Sequence, residues 1–105
     1  MALADFFKGV DINSEVENCK KTEGAVLLDV RSADEYKNGH IPRSINVPVD
    51  EIQNVVSVIP DKNTPIFAYC LSGGRAGKAV KEMQTLGYTD VKNIGGISKY
   101  TGIKE

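Results

Sequence analysis

Mainly apolar runs alternate along this sequence with segments in which apolar residues recur at helical spacing. Two runs, residues 25–30 and 66–69, have the composition of strands that are buried on both faces of a sheet. Shorter patterns predict further strands at residues 10–12, 45–47 and 88–94. The spacing of apolar residues between these strands predicts helices at residues 14–21, 32–39, 50–59 and 75–86 and a last helical turn at residues 97–101.

Residues with strong positional preferences mark the ends of these helices. Two Ser-x-x-Glu sequences, Ser14 with Glu17 and Ser32 with Glu35, fit the capping box that starts a helix, and Asn13 is an alternative cap for the first of them. The glycines predicted to end helices or form turns are Gly39, Gly87, Gly95 and Gly96. The helical side chains predicted to face the core are Val16, Cys19, Tyr36, Ile52, Val55, Val56, Ile59, Ala76, Ala79, Val80, Met83 and Leu86.

Strands that alternate with helices over most of a chain are typical of α/β proteins. We therefore predict a three-layer sandwich in which a mainly parallel central sheet is flanked by helices, with right-handed crossovers. The 105 residues are enough for one domain, predicted to span residues 1–105 with a loosely held lead-in at residues 1–9.

Composition narrows the class of protein. Hydrophobic residues make up 41% and charged residues 26% of the chain, which is typical of a soluble globular protein. The formal net charge of −1 predicts no general attraction to nucleic acid or to an anionic membrane. The first residues lack the features of a signal peptide, and Cys19 and Cys70 do not form a secreted disulfide pattern. We expect a cytoplasmic protein with free thiols.

The segment with the strongest chemical character is Cys70-Leu71-Ser72-Gly73-Gly74-Arg75, between a predicted central strand and a predicted helix. The strand end is where ligands bind in open α/β sheets. Small residues in this loop let successive N–H groups form an anion cradle, and the helix N-terminus and the arginine add positive potential. We predict that the cysteine ionises more easily than an ordinary thiol and acts as a nucleophile. The alternative, a small buried packing residue, is less favoured because of this electropositive setting.

Other chemically capable residues are better explained by structural roles. Cys19 lies on a predicted helix with nothing nearby to favour its thiolate. His40 is the single histidine and has no partner at metal-ligand spacing, so we predict a turn residue bonded to backbone and no metal site. Asp29 and Arg31 end a strand beside the cysteine loop, where they either orient the loop or pair with each other, and we favour an architectural role for both.

Several segments of the chain form a specific combination: Leu28 to Arg31, Glu35-Tyr36, Gly39 to Pro42, Ile45 to Pro48 and the loop Cys70 to Arg75. Together they resemble the rhodanese family of sulfurtransferases. The first four are similar to that family's N-terminal signature, and the fifth to its active-site loop. Gly95 to Ile97, followed by Tyr100 where an aromatic residue is expected, is similar to its C-terminal signature. The resemblance covers roughly residues 10–104.

The resemblance implies the single-domain form of the family and a sulfurtransferase activity. Cys70 would take a sulfane sulfur from a donor such as thiosulfate, carry it as a persulfide and pass it to a thiophilic acceptor, a thiol or a protein cysteine. Leu71, Ser72, Gly73, Gly74 and Arg75 would hold the donor, with Asp29 and Arg31 in support. The chemistry would need no metal or organic cofactor.

Two positions depart from thiosulfate-using members of the family. Leu71 stands where many of them have a basic side chain, and Gly74 contributes no side chain ahead of Arg75. The loop therefore offers one arginine instead of two. We predict that thiosulfate is a workable but poor donor and that the natural donor is less charged or is carried by a protein.

Two alternatives remain open from the sequence. Phosphatases and arsenate reductases of related fold also use a cysteine and an arginine around an oxyanion, but they place five residues between the two. Here four intervene, Leu71 to Gly74. The second alternative is a non-catalytic or sulfur-carrying binding module with a regulatory role, although such a module would more often lack the cysteine.

Overall fold

In a computed structural model of the protein, residues 10–105 are described, so the lead-in predicted at residues 1–9 lies outside the described residues. The α-helices are α1 (Ile12–Lys21), α2 (Ala33–Lys37), α3 (Val55–Val58) and α4 (Gly74–Thr85). The strands are β1 (Val26–Asp29), β2 (Ile45–Asn46), β3 (Ile66–Cys70) and β4 (Val91–Gly96). Two 3₁₀ helices, Val49–Asn54 and Ile97–Lys99, complete the described elements.

The four described strands form one parallel sheet in the order β2-β1-β3-β4. The central strands β1 and β3 pair in register from Val26 opposite Ile66 to Asp29 opposite Tyr69. All five residues of β3 are buried, as expected for a strand covered on both faces. The carboxyl ends of β1 and β3 therefore lie side by side at one edge of the sheet.

Successive side chains of the central strands point to opposite faces and fill two separate cores. The first core packs Leu28, Ala68 and Cys70 against the helices on one face. The second packs Leu27, Phe67 and Tyr69 mainly against α1 on the other. Helices on both faces of a parallel sheet make three layers, so the predicted fold class is confirmed. No helix in residues 10–105 has the length and apolar character needed to cross a bilayer.

The start of α1 differs from the prediction. Residues 10–12 do not form a strand, because Ile12 already begins the helix. The cap is Asp11, whose carboxylate accepts hydrogen bonds from the Asn13 backbone N–H at 3.1 Å and the Ser14 hydroxyl at 2.8 Å. The predicted caps Asn13 and Ser14 are therefore wrong, since an aspartate just upstream satisfies the first free N–H groups.

The second predicted capping box is confirmed at the start of α2. The Ser32 hydroxyl accepts a hydrogen bond from the Glu35 backbone N–H at 3.2 Å, and the Glu35 carboxylate accepts one from the Ser32 backbone N–H at 3.2 Å. The helix ends at Lys37, one turn after its cap, and Gly39 follows with a φ of +144°.

The helix predicted at residues 50–59 is broken. A 3₁₀ segment containing the non-helical Glu51 precedes the single α-turn of α3. Ile52 and Val55 are buried as predicted, whereas Val56 is 40% exposed. Val56 follows Val55 by one residue, about 100° around the helix, and so points away from the core.

Candidate active site

The sequence from 70 to 75 is the junction between β3 and α4. Cys70 is the last residue of β3, and α4 begins at Gly74. Gly73 turns the chain between them with a φ of +111°, a conformation that a residue without Cβ adopts freely. The strand end and the helix start therefore meet at the cysteine, as the sequence predicts.

The Cys70 sulfur lies under this turn and accepts backbone hydrogen bonds. The Gly73 N–H donates to Cys70 Sγ at 3.0 Å, and the Ala76 N–H at 3.4 Å. Cys70 is 1% exposed, so the thiol sits at the bottom of the loop. Two N–H donors at the start of a helix, directed at one sulfur atom, are an arrangement that stabilises negative charge there.

A bulge in β4 brings a glycine against the loop. Ala68 pairs with Asn93 but Cys70 pairs with Gly96, so β4 carries one extra residue between these two pairs. A Cβ placed on Gly96 would lie 2.0 Å from the Leu71 carbonyl oxygen. Gly96 thus allows the loop to pack directly on β4. The prediction of a Gly95-Gly96 turn is wrong, because both residues belong to the strand.

Asn93 fixes the loop from the same strand. Its side-chain amide donates a hydrogen bond to the Gly73 carbonyl at 2.9 Å, and its side-chain oxygen accepts one from the Gly95 N–H at 2.9 Å. Asn93 therefore joins the turn that covers the Cys70 sulfur to the bulge in β4. Asn93 was not among the predicted site residues, although asparagine is uncommon inside strands and its presence in one was a usable signal.

Arg75 is paired with Glu35 of α2. The guanidinium donates from Nη1 to Glu35 Oε1 at 2.7 Å and from Nη2 to Oε2 at 3.0 Å. The two side chains are 38% and 33% exposed. The hydrogen bond from Arg75 is the main reason why the pKa of Glu35 is lowered to about 2. Glu35 was predicted as part of a capping box, but its pairing with Arg75, which links residues far apart in the chain, was not predicted.

The pairing also affects the arginine. The pKa of Arg75 is raised, first by the hydrogen bond to Glu35 and also by the negative charge of that carboxylate. Its guanidinium is therefore directed to a carboxylate of α2.

Asp29 and Arg31 pair with each other beneath this region. Arg31 Nη2 lies 2.7 Å from Asp29 Oδ2, and both side chains are nearly fully buried. Arg31 Nη2 also donates to the Gly39 carbonyl at 2.8 Å. The sequence left two roles open for these residues, to orient the cysteine loop or to pair with each other. The contacts correspond to the second role, and they connect β1 to the turn after α2.

A cavity of about 200 Å³ opens beside the loop, with Arg75 in its wall. Its other lining residues include Ser32, Val49, Asp50 and Glu51. Leu71, at the rim of the loop, is 48% exposed. A larger cavity of about 390 Å³ lies near the amino ends of β1 and β2, away from the loop.

Cys19 and His40 take the structural positions predicted for them. Cys19 is buried in α1, and burial raises the pKa of its thiol to about 11. The His40 ring stacks on Tyr36 with centroids 3.7 Å apart, and its Nδ1 donates to the Tyr36 carbonyl at 2.8 Å. Within residues 10–105, no group of His, Cys, Asp and Glu side chains has the arrangement of a metal site.

The sequence of this chain matches the rhodanese-like domain family over residues 13–102. The chain belongs to that family, and the predicted resemblance is confirmed.

Individual relatives support the assignment and show its range. The chain is 35% identical over 71 residues to the thiosulfate sulfurtransferase PspE of Escherichia coli, covering 67% of this chain and 68% of PspE. It is 37% identical over 104 residues to a tRNA uridine(34) hydroxylase of Buchnera aphidicola, covering 93% of this chain and 32% of the hydroxylase, so it spans about a third of that relative. A solved rhodanese with anions from E. coli superposes with a TM-score of 0.71 and 32% identity, covering 77% of this chain and 96% of that one.

Proposed function

We propose that this protein is a sulfurtransferase that carries a sulfane sulfur as a persulfide on Cys70. The observation that carries the proposal is the pair of backbone N–H groups, of Gly73 and Ala76, that donate to Cys70 Sγ at the start of α4. Such donors favour a thiolate, which is the nucleophilic form of cysteine. They also suit a persulfide anion, because a charge on the added sulfur stays close to the same loop.

The proposed reaction has two steps that balance without a cofactor. The Cys70 thiolate attacks the outer sulfur of thiosulfate, the sulfur–sulfur bond of the donor breaks, and sulfite leaves with its electron pair. An acceptor thiolate, or cyanide in an assay, then attacks the outer sulfur of the persulfide. The bond to Cys70 breaks, and the cysteine returns to its thiolate form. This is ordinary covalent catalysis in two steps.

The loop supplies further donors for the anionic groups of this reaction. Among residues 10–105, no acceptor is found for the backbone N–H groups of Ser72, Gly74 and Arg75. Since these groups belong to the loop that follows Cys70, whose Gly73 and Ala76 N–H groups already contact the sulfur, we assign them to the donor together with Leu71 and Gly73. Because the thiol is 1% exposed, the outer sulfur of the donor must enter through a small movement of the loop.

The relatives support this function to different degrees. PspE is named a thiosulfate sulfurtransferase, and the sulfur donor and thiol or protein acceptor that we propose are those of this family. The hydroxylase relative contains the matching region within a longer protein of different activity. We therefore keep a sulfur-carrying or regulatory module as the second candidate. A reducing compartment such as the cytoplasm suits both candidates, because Cys19 and Cys70 are free.

A phosphatase is less well supported by the geometry. Its chemistry needs an arginine directed over the oxyanion, whereas the Arg75 guanidinium contacts Glu35 with both terminal nitrogens. We assign no phosphate-transfer role to the loop.

The test is a pair of activity assays on the purified chain. We expect thiocyanate to form from thiosulfate and cyanide, sulfite to be released in equal amount, and an aryl phosphate to remain unhydrolysed. Phosphate release without thiocyanate formation would reverse the assignment. Absence of both activities in the folded protein would favour the binding module.

A further inference from the structure

We propose that Glu35 sets the donor specificity of this site by withholding Arg75 from small dianionic donors. The proposal rests on the proposed sulfurtransferase function and adds a residue to it. Glu35 acts through Arg75 and does not touch the reacting sulfur, so it is a positioning residue.

The contact between the two side chains leaves little of the guanidinium for a ligand. Both terminal nitrogens of Arg75 donate to the Glu35 carboxylate, at 2.7 and 3.0 Å. A bidentate arginine–carboxylate pair uses the same geometry by which arginine binds an oxyanion. A donor anion must therefore displace Glu35 or share the guanidinium with it.

Glu35 is a well-positioned competitor because its own helix fixes it. The Ser32 hydroxyl donates to Glu35 Oε1 at 3.0 Å, and the Ser32 backbone N–H donates to the same oxygen at 3.2 Å. The carboxylate is thus held in place before any ligand arrives, whereas a free anion loses translational freedom when it binds. The pair is still about a third exposed, so it is weak enough to be exchanged.

The surrounding charges act in the same direction. Asp50 and Glu51 line the cavity of about 200 Å³ that Arg75 also lines. Arg75 is thus paired with the Glu35 carboxylate and shares a cavity with two more, those of Asp50 and Glu51, while the attacking sulfur must itself be anionic to react. Repulsion grows with the charge of the incoming donor. The arrangement penalises a dianion more than a monoanion and admits a donor of lower charge.

The substitution Glu35→Gln tests the proposal because glutamine also completes a capping box. It removes the negative charge and the strong pairing with Arg75 while keeping the helix start. Glu35→Asp is a second variant, which keeps the charge but shortens the side chain, so that the bidentate contact loosens. Glu51→Gln is the matched control, since it removes a carboxylate from the same cavity without releasing Arg75.

The first readout does not depend on sulfur transfer. The Cys70 thiolate displaces iodide from both iodoacetate and iodoacetamide, but only iodoacetate carries a negative charge. The rate of alkylation by iodoacetate divided by the rate with iodoacetamide, both measured at Cys70 by mass spectrometry, is therefore independent of the thiolate fraction. We expect this ratio to rise about threefold to fivefold in Glu35→Gln, less in Glu35→Asp, and less than about twofold in Glu51→Gln.

The second readout uses two donors that react by the same chemistry. Thiosulfate is a dianion and methanethiosulfonate a monoanion, and the latter releases methanesulfinate when Cys70 takes its outer sulfur. Glu35→Gln should lower the KM for thiosulfate by about fivefold and the KM for methanethiosulfonate by about twofold. High salt should reduce both gains, because partly exposed charges are screened over about 8–10 Å.

The two readouts separate failure of this proposal from failure of the proposed function. An alkylation ratio unchanged in both Glu35 variants, or raised equally by Glu51→Gln, would overturn the role of Glu35 even if sulfur transfer proceeds. A raised ratio with no transfer from either donor would refute the sulfurtransferase function and leave Glu35 as the residue that controls anion access to Arg75. Equal changes of KM for the two donors would also overturn the charge-based selection.

Discussion

Cys19 and Cys70 are both buried and free, yet their surroundings are opposite in chemical character. Cys19 lies within α1 and packs into an apolar cluster, where burial raises the pKa of its thiol to about 11. The Cys70 sulfur lies at a strand-to-helix junction and accepts two backbone N–H groups. The comparison shows that burial by itself does not decide thiol chemistry.

The difference follows from where each cysteine stands in its element. Inside a helix the backbone N–H groups already donate to carbonyls one turn back, so none is free for a side chain such as that of Cys19. At the start of a helix the first N–H groups have no such acceptor, and the Cys70 sulfur can take that place. The loop between β3 and α4 thus forms a reactive site with backbone N–H donors that inside a helix are already hydrogen-bonded.

The largest effect is expected when each thiol is replaced separately. Cys70→Ser should abolish sulfur transfer, because a hydroxyl cannot carry a sulfane sulfur, whereas Cys19→Ser should leave kcat/KM within about twofold. The Cys19 variant buries a hydroxyl among apolar groups and should lose about 1–3 kcal/mol of unfolding free energy. Steady-state kinetics and denaturant unfolding measure the two quantities. Loss of persulfide formation in a folded Cys19→Ser protein would mean that both thiols take part.

A second change disturbs the Cys70 loop without touching the thiol. Gly96→Ala would place a Cβ 2.0 Å from the Leu71 carbonyl oxygen, so the loop must move. We expect a fall of about 10²-fold in kcat/KM, since displacements near 1 Å have effects of this size. Thermal unfolding should show a loss of about 1–3 kcal/mol, as for other overpacked sites.

Gly77→Ala provides the control for this steric argument. Its added Cβ would meet the Asn93 amide nitrogen at 3.5 Å, an ordinary contact, and the site lies within α4. A helical glycine replaced by alanine gains about 0.5–1 kcal/mol. Activity unchanged in Gly96→Ala, or lost equally in Gly77→Ala, would show that close packing on β4 does not hold the loop.

A smaller effect is expected from the loss of the hydrogen bond that fixes the loop. Asn93→Ala removes the donor to the Gly73 carbonyl, so the Gly73 N–H is held less firmly against the Cys70 sulfur. We expect the rate of iodoacetamide alkylation at Cys70 at neutral pH to fall about fivefold to tenfold, in line with the loss of one neutral hydrogen bond. Alkylation of Cys19 should stay slow in both forms. An unchanged alkylation rate at Cys70 would show that Asn93 does not hold the Gly73 N–H against the sulfur.

The smallest effect is expected at the rim of the loop. Leu71 is 48% exposed, so Leu71→Arg places a cation where it is largely solvated. The KM for thiosulfate should fall several-fold, which corresponds to about 1 kcal/mol of binding free energy, and high salt should remove much of this gain. A KM that does not change, or a change indifferent to salt, would mean that the side chain at position 71 points away from the donor.

Much of the site was predictable because it depends on local sequence. The apolar run before Cys70 and the helical spacing after Arg75 determine a strand-to-helix junction, and the structure places both where the pattern predicts. The contacts of Asn93, Gly96 and Glu35 were not predictable in this way. The first two depend on a one-residue bulge in β4, and the third joins side chains forty positions apart.

The same distinction explains the errors elsewhere in the chain. The start of α1 was misplaced because Asp11, Asn13 and Ser14 are all good caps, and the choice between them depends on the conformation of the preceding backbone. The helix at residues 50–59 was predicted as continuous because its apolar spacing is nearly regular. The spacing of apolar residues does not reveal that Glu51 has non-helical φ and ψ angles.

The central claim is that Cys70, and not Cys19, carries the transferred sulfur. The most direct measurement is mass spectrometry of the folded protein after incubation with thiosulfate, followed by digestion and mapping of the two cysteine-containing peptides. We predict a mass increment of one sulfur atom on the Cys70 peptide, which cyanide removes, and no increment on the Cys19 peptide. A sulfur increment on the Cys19 peptide would contradict this claim. So would the absence of an increment on the Cys70 peptide, if the same protein also fails to transfer sulfur from methanethiosulfonate.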